Sequence, residues 1–182
     1  MKKIVLITGS ARKNGNSNLL ADSFAAAAQN LGMEVTRIDA TALKIGVCHG
    51  CGACYSTGRA CAFRDDFETV AEQLNAADGI VIASPVYWYT FPAAVKAVID
   101  KFYALYVGGH LFTGKKCALI SCCEDENKET FEGINFAFDK SFELMEAEIV
   151  GKVEIPGLGD AGTVKQTDGE AQAAKLAELF AV

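Results

Sequence analysis

Short apolar runs alternate along the chain with stretches whose apolar positions recur every third or fourth residue. Lys2–Thr8 is almost unbroken aliphatic sequence and reads as a buried strand. Between Asn16 and Leu31 the period lengthens, and Leu19, Leu20, Phe24, Ala27 and Ala28 fall on one face of a helix. Glu34–Asp39 alternates as a strand does, and residues 41–65 show no period at all. Asp65–Ala76 is helical, with acidic residues at its positive end, and Gly79–Ser84 is the next strand. Pro92 suits the first turn of a helix reaching Tyr106, with Val95, Val98, Ile99, Phe102 and Leu105 inward. Strand Lys116–Cys122, helix Thr130–Met145, strand Glu148–Ile155 and helix Gly169–Phe180 complete the series. Five β-α units predict a parallel sheet covered on both faces and joined by right-handed crossovers. No internal repeat, low-complexity run or linker interrupts them. The expectation is α/β, one doubly wound domain over residues 1–182 with a five-stranded parallel sheet of order 2-1-3-4-5 and a Cys-rich insert at 41–65.

Composition narrows the function classes. The formal net charge of -6 lacks the clustered Lys and Arg of a nucleic-acid footprint. No run approaches the roughly 20 apolar residues of a membrane span, so neither nucleic acid nor membrane is an expected partner. MKKIVLITGS begins like a signal peptide, but its apolar run, Ile4 to Ile7, is too short and ends in a Gly-Ser turn. The seven cysteines are an odd number, and four fall within Cys48–Cys61. That pattern favours metal or redox chemistry over structural disulfides, and a reducing compartment, the cytoplasm, is the expected location.

In an open parallel sheet, ligands bind beyond the carboxyl ends of the strands where the strand order reverses. For order 2-1-3-4-5 the loops after strands one, three and four meet there. The first loop, GSARKNGNSN, is rich in small polar residues and enters a helix start, whose free amides and dipole favour an anion. It is neither a Walker A loop, lacking the lysine, nor GxGxxG. Ser10, Ser17 and Asn18 suit a single phosphate monoester, with Arg12 adding charge; an ordinary turn capped by Asn16 or Ser17 is the alternative. The third loop, SPVYWYTFP, sets Tyr87, Trp88, Tyr89 and Phe91 between two prolines where loops are normally polar. A flat ring would give them a partner, although core packing or a subunit contact also suits Tyr89 and Phe91. One phosphate cradle and one aromatic clamp fit FMN better than ATP.

GSARKNGNS, SPVYWYTFPAAVKAVIDKF, the insert CHGCGACYSTGRACAFRDD and the tail IPGLGDAGTV together resemble the flavodoxin-like NAD(P)H-dependent FMN reductase and iron-sulfur flavoprotein family. The resemblance spans essentially the whole chain, with the motifs in order. It implies that Ser10, Arg12, Asn16, Ser17 and Asn18 hold the FMN phosphate. Pro85, Val86, Tyr87 and Trp88 would line the isoalloxazine, and Ser121 with Cys122 would border it. Ser121-Cys-Cys departs from the Thr/Gly-rich turn of similar proteins.

Cys48, Cys51, Cys54 and Cys61 follow the spacing CxxCxxC, six residues, Cys. Four thiolates on a loop eased by Gly50, Gly52 and Gly58 suit an iron-sulfur cluster, and in the resembling iron-sulfur flavoproteins a compact motif of this form binds a 4Fe-4S cluster. A metal-free loop, a zinc site and a thiol switch stand beside it as readings. His49 reads as a solvated residue and Cys117 as a small core residue. An irregular stretch this long is uncommon unless functional.

The expected function is an FMN-dependent oxidoreductase in which the flavin carries the chemistry and no side chain is nominated as catalytic. Electrons pass from NAD(P)H, or a protein electron donor, to a small-molecule or protein acceptor. A non-enzymatic flavodoxin-type electron carrier and a quinone reductase of the multimeric flavodoxin type are the rivals. Apolar residues on more than one helix face, Phe102, Tyr103, Tyr106, Phe136 and Met145 among them, predict a homodimer or homotetramer, with a wide core-facing stripe as the alternative.

Overall fold

The structure, a computed structural model, describes residues 1–181. In chain order its elements are β1 (Lys3–Thr8), α1 (Asn16–Asn30), β2 (Glu34–Asp39), α2 (Phe67–Ala76) and β3 (Gly79–Pro85), followed by α3 (Ala93–Asp100) and α4 (Phe102–Val107). The second half holds β4 (Lys116–Cys122), α5 (Glu132–Leu144), β5 (Glu148–Ile155), α6 (Gly169–Leu176) and α7 (Glu178–Ala181). The five strands form one parallel sheet in the order β2-β1-β3-β4-β5, as expected from the sequence.

Because successive strand residues point to opposite faces, each central strand supplies two cores. Val5, Ile7, Ile80, Ile82 and Leu119 pack with Phe67, Val95, Phe138 and Phe142 on the side of α2 to α5. Ile4, Leu6, Val81, Ala83 and Ile120 pack with Leu20, Phe24, Leu176 and Phe180 on the side of α1, α6 and α7. Burial on both faces is why these strands read as uninterrupted aliphatic runs. From β1 the chain adds β2 on one side and then β3 on the other, and that reversal opens a crevice at the strands' carboxyl ends.

Two predicted helices break. The one expected over Pro92–Tyr106 divides at Lys101, whose N–H turns back to Val98 O at 3.1 Å and whose side chain is buried. The one expected over Gly169–Phe180 divides at Ala177, whose N–H reaches Ala174 O at 3.2 Å. In both places i→i−3 bonding tightens the turn. A short 3₁₀ turn, Lys128–Phe131, precedes α5. Helix α5 buries Ile134, Phe138 and Phe142 while Phe136 and Leu144 stay exposed, as do Tyr103 and Tyr106 on α4.

Candidate functional site

The loop from β1 to α1 is braced by its own asparagines. Asn18 donates its amide to Ser10 O at 3.2 Å and Arg12 O at 2.9 Å, and its Oδ1 accepts from Arg37. Asn16 donates to Asp160 O at 2.8 Å and accepts from the N–H groups of Gly162 and Val164. It ties this loop to the segment after β5. Both side chains thus brace the loop, through backbone groups and, for Asn18, the Arg37 guanidinium. Ser10 Oγ accepts from Arg12 N–H at 3.3 Å. A Cβ on Gly15 would lie 2.5 Å from that hydroxyl, so the loop closes this tightly only around glycine.

Ser17 differs from its neighbours. It is buried in the first turn of α1, and its Oγ has no hydrogen-bond partner. No acidic residue occupies that turn. A buried unpartnered hydroxyl is costly, and beside the positive end of a 15-residue helix it suits an anion.

The loop after β3 is a tight turn. Tyr87 and Thr90 exchange N–H···O bonds of 2.9 and 3.1 Å, with Trp88 (φ 47°) and Tyr89 (φ 65°) at the corner. Both are left-handed, a conformation that costs a bulky residue about 1–3 kcal/mol and marks functional loops. Val86 N–H is held by Cys122 O at 2.9 Å. The far side of the turn rests on α5, where a Cβ on Gly133 would come within 2.2 Å of Tyr89 O. Gly133→Ala is therefore expected to push the turn off α5, costing about 1–3 kcal/mol and weakening flavin binding roughly tenfold. Titration of the variant with FMN beside a thermal melt checks it.

These two loops meet the ends of β4 and β5 around a cleft of about 320 Å³. Of the expected residues, Ser10, Arg12, Asn16, Ser17, Pro85, Val86, Tyr87, Trp88 and Cys122 line it. Asn18 and Ser121 are not among its lining residues; Ser121 Oγ instead donates to Ser84 O at 2.9 Å, a buried tie between β4 and β3. Gly15, Cys123, Glu124, Leu158 and Gly159, not singled out as site residues, line the cleft as well. Burial pushes the Cys122 thiol up to about 12, so it stands in the wall as a neutral thiol. Trp88 is 93% exposed, free to cover a ring laid in the cleft.

The cysteine loop is pinched at its neck. Asp66 accepts from Lys44 N–H at 2.7 Å, and Asp65 accepts from Gly46 N–H at 2.9 Å, from Phe67 N–H at 3.0 Å and from the Lys101 ammonium. Burial would raise the Asp65 carboxyl, but the Lys101 hydrogen bond and those two amides outweigh it and hold it below its ordinary value. The loop's far end lies along α4. Tyr55 covers Gly108 so closely that a Cβ there would sit 2.3 Å away, and it stacks on His110 with ring centroids 5.3 Å apart. Gly50, Gly52 and Gly58 all have positive φ, as the tight turns require.

Cys48, Cys51, Cys54 and Cys61 line one small cavity with His49, Phe63, Lys101 and Tyr103. Burial first, then the charges of Cys61, Cys48 and Cys51, raise the Cys54 thiol, so the four thiols act on one another. Among the described residues no three Cys, His, Asp or Glu side chains converge as ligands of a single metal ion. The cavity and the cleft share no lining residue. Along the chain, helix α3, eight residues and about 12 Å long, runs between Trp88 of the cleft and Lys101 of the cavity.

Among the described residues no helix is long and apolar enough to cross a membrane. The chain is 36% identical over 99 residues to an iron-sulfur flavoprotein of Archaeoglobus fulgidus, an alignment covering 54% of this chain and 44% of that one. An iron-sulfur flavoprotein of Methanosarcina thermophila is 34% identical over 99 residues, covering 54% and 51%. The chain thus spans about half the length of the curated relatives it matches. An azoreductase from Bacillus anthracis superposes with a TM-score of 0.76 over 97% of this chain and 99% of its own, at 20% identity, a likeness of fold. An FMN-dependent NADH-azoreductase of the same species, solved in complex with FMN, gives 0.76 at 13% identity, with 100% of each chain covered. The sequence profile of NADPH-dependent FMN reductases matches residues 2–129, a stretch holding both cleft loops and the whole cysteine loop, and the chain belongs to that family.

Proposed function

We propose that the chain is the FMN-binding unit of a flavin-dependent oxidoreductase. In it electrons pass from reduced nicotinamide or another reductant, through FMN in the cleft, to a second acceptor. The observation that carries this reading is Ser17, an unpartnered buried hydroxyl at the start of α1, on a residue in the wall of a cleft whose opposite wall is a strained aromatic turn. Ser10, Ser17 and the first amides of α1 bind the phosphate, and Arg12 adds charge at the cleft mouth. Pro85, Val86, Tyr87 and Trp88 hold the ring, and Asn16, Asn18 and Ser121 keep those walls in place. Bound FMN supplies hydride and single-electron chemistry that no side chain here can perform.

The same reading gives Cys48, Cys51, Cys54 and Cys61 to a 4Fe-4S cluster. Four thiols lining one cavity, on a loop with three left-handed glycines, would suit a group held by four cysteine thiolates. The names of the curated relatives agree. Self-association as a homodimer or homotetramer belongs to the proposal, with Tyr103, Tyr106, Phe136 and Leu144 as exposed apolar surface.

Anaerobic purification tests it. Stoichiometric FMN, oxidation of NADH or NADPH, and ping-pong initial-rate plots are the expected results. A colourless protein that takes up no FMN would sink the reading. Bound FMN with negligible nicotinamide oxidation would move it to an electron carrier.

A further inference from the structure

Lys101 is a buried cation whose setting reaches beyond the helix break it marks. It stands at the break between α3 and α4, only 3% exposed, with its ammonium held by Asp65 and 5.6 Å from the centroid of the Phe67 ring. The same side chain lines the cavity of the four cysteines. Asp65, its partner, belongs to the neck of the cysteine loop. A buried ion pair is a poor source of stability, since apolar side chains of similar volume serve as well or better. Beside a cavity built from four thiols, however, fixed charges act on whatever charge that cavity holds.

The size of that charge follows from the ligand set. Four thiolates around a 4Fe-4S core leave a group of charge 2− when oxidised and 3− when reduced. Reduction adds one electron and breaks no bond. A neighbouring cation favours the 3− form and a neighbouring carboxylate opposes it, and burial limits the screening by water and salt. We propose that the Lys101–Asp65 pair sets the reduction potential of the group held by Cys48, Cys51, Cys54 and Cys61. Lys101 draws the electron in, and Asp65 moderates it. The inference rests on the cluster reading above and adds the residues that tune it.

The closing experiment separates the two. Iron and sulfide are assayed first in anaerobically purified wild type and variants, and the midpoint of each iron-replete protein is then measured by redox titration followed spectroscopically. Lys101→Met is expected to lower the midpoint by at least tenfold in the one-electron equilibrium, 59 mV. Asp65→Asn is expected to raise it, and the double variant to return close to wild type. Lys96→Gln, which removes one partner of the half-exposed Lys96–Asp100 pair on the same helix, should shift it far less. A loop that had merely loosened would move both single variants in the same direction, and that result overturns the proposal, as do unchanged midpoints. Should Lys101→Met fail to load iron, the sign of the Asp65→Asn shift decides. Wild-type protein without iron overturns the cluster reading and this proposal together, before any midpoint is measured.

Discussion

Ser17→Ala is expected to weaken FMN binding by about 10- to 100-fold while leaving the apoprotein as stable as before, or slightly more so. The two halves have one cause. In the protein alone the hydroxyl is buried and bonds to nothing, so its removal relieves a desolvation cost and breaks no contact. With FMN bound it donates to a phosphate oxygen, and a hydrogen bond to a charged acceptor is worth about 1.5–3 kcal/mol, which is about 10- to 100-fold in affinity. Riboflavin, which lacks the phosphate, should bind both proteins alike. Flavin fluorescence titrations with the two ligands and a denaturant melt of the apoproteins are the measurements. Equal loss of FMN and riboflavin would mean that Ser17 only shapes the cleft, and the phosphate assignment would go.

The fold was legible because every strand buried on both faces leaves an uninterrupted aliphatic run, and every covering helix leaves a 3.6-residue period. The two broken helices were not. Val98, Ile99, Phe102 and Leu105 keep an apolar spacing through Lys101, so nothing local marks the turn there. Its visible reason is a partner 36 positions earlier, Asp65, which sequence periodicity cannot show. The same limit governs the site. Ser10, Arg12 and Ser17 can be placed at the cleft from the sequence because polar residues at a helix start have a local signature, and the aromatic turn because four rings in a loop are anomalous. Asn16 suits a ligand by its chemistry alone. Its engagement with Asp160, Gly162 and Val164 depends on a segment about 145 positions away. Gly133 carried no signal at all: a glycine in a helix is unremarkable until the carbonyl of Tyr89 is seen against it. Asp65 and Asp66 do open α2, Asp66 at its N-cap and Asp65 by accepting from Phe67 N–H, and they also clamp the cysteine loop. Both uses suit a carboxylate, and only the fold shows the second.

Among the cysteines Cys54 is the one to replace. It is less exposed than Cys48 and Cys51, packs against the core on the α2 to α5 side, and feels the charge of the other three. Cys54→Ser keeps the shape of the loop, exchanging sulfur for a smaller, harder atom that binds iron poorly. Iron and acid-labile sulfide are expected to fall from about four of each per chain to a small fraction of that, and the broad absorption beneath the flavin bands to go with them. FMN content should stay at the wild-type level, because the cleft and the cysteine cavity share no lining residue. Cys117→Ser is the control: Cys117 is buried in β4, away from the loop, and burial pushes its thiol up to about 12, far from the thiolate a metal requires. Iron in that variant should match wild type. The outcomes also divide the readings of the loop. One zinc per chain lost on Cys54→Ser would replace the cluster with a tetrahedral site. Metal-free wild type whose loop thiols escape alkylation until a reductant is added would make the loop a disulfide switch. Loss of FMN together with iron would show that the loop and the cleft fold as one unit, and the independence of the two sites would be the claim to abandon.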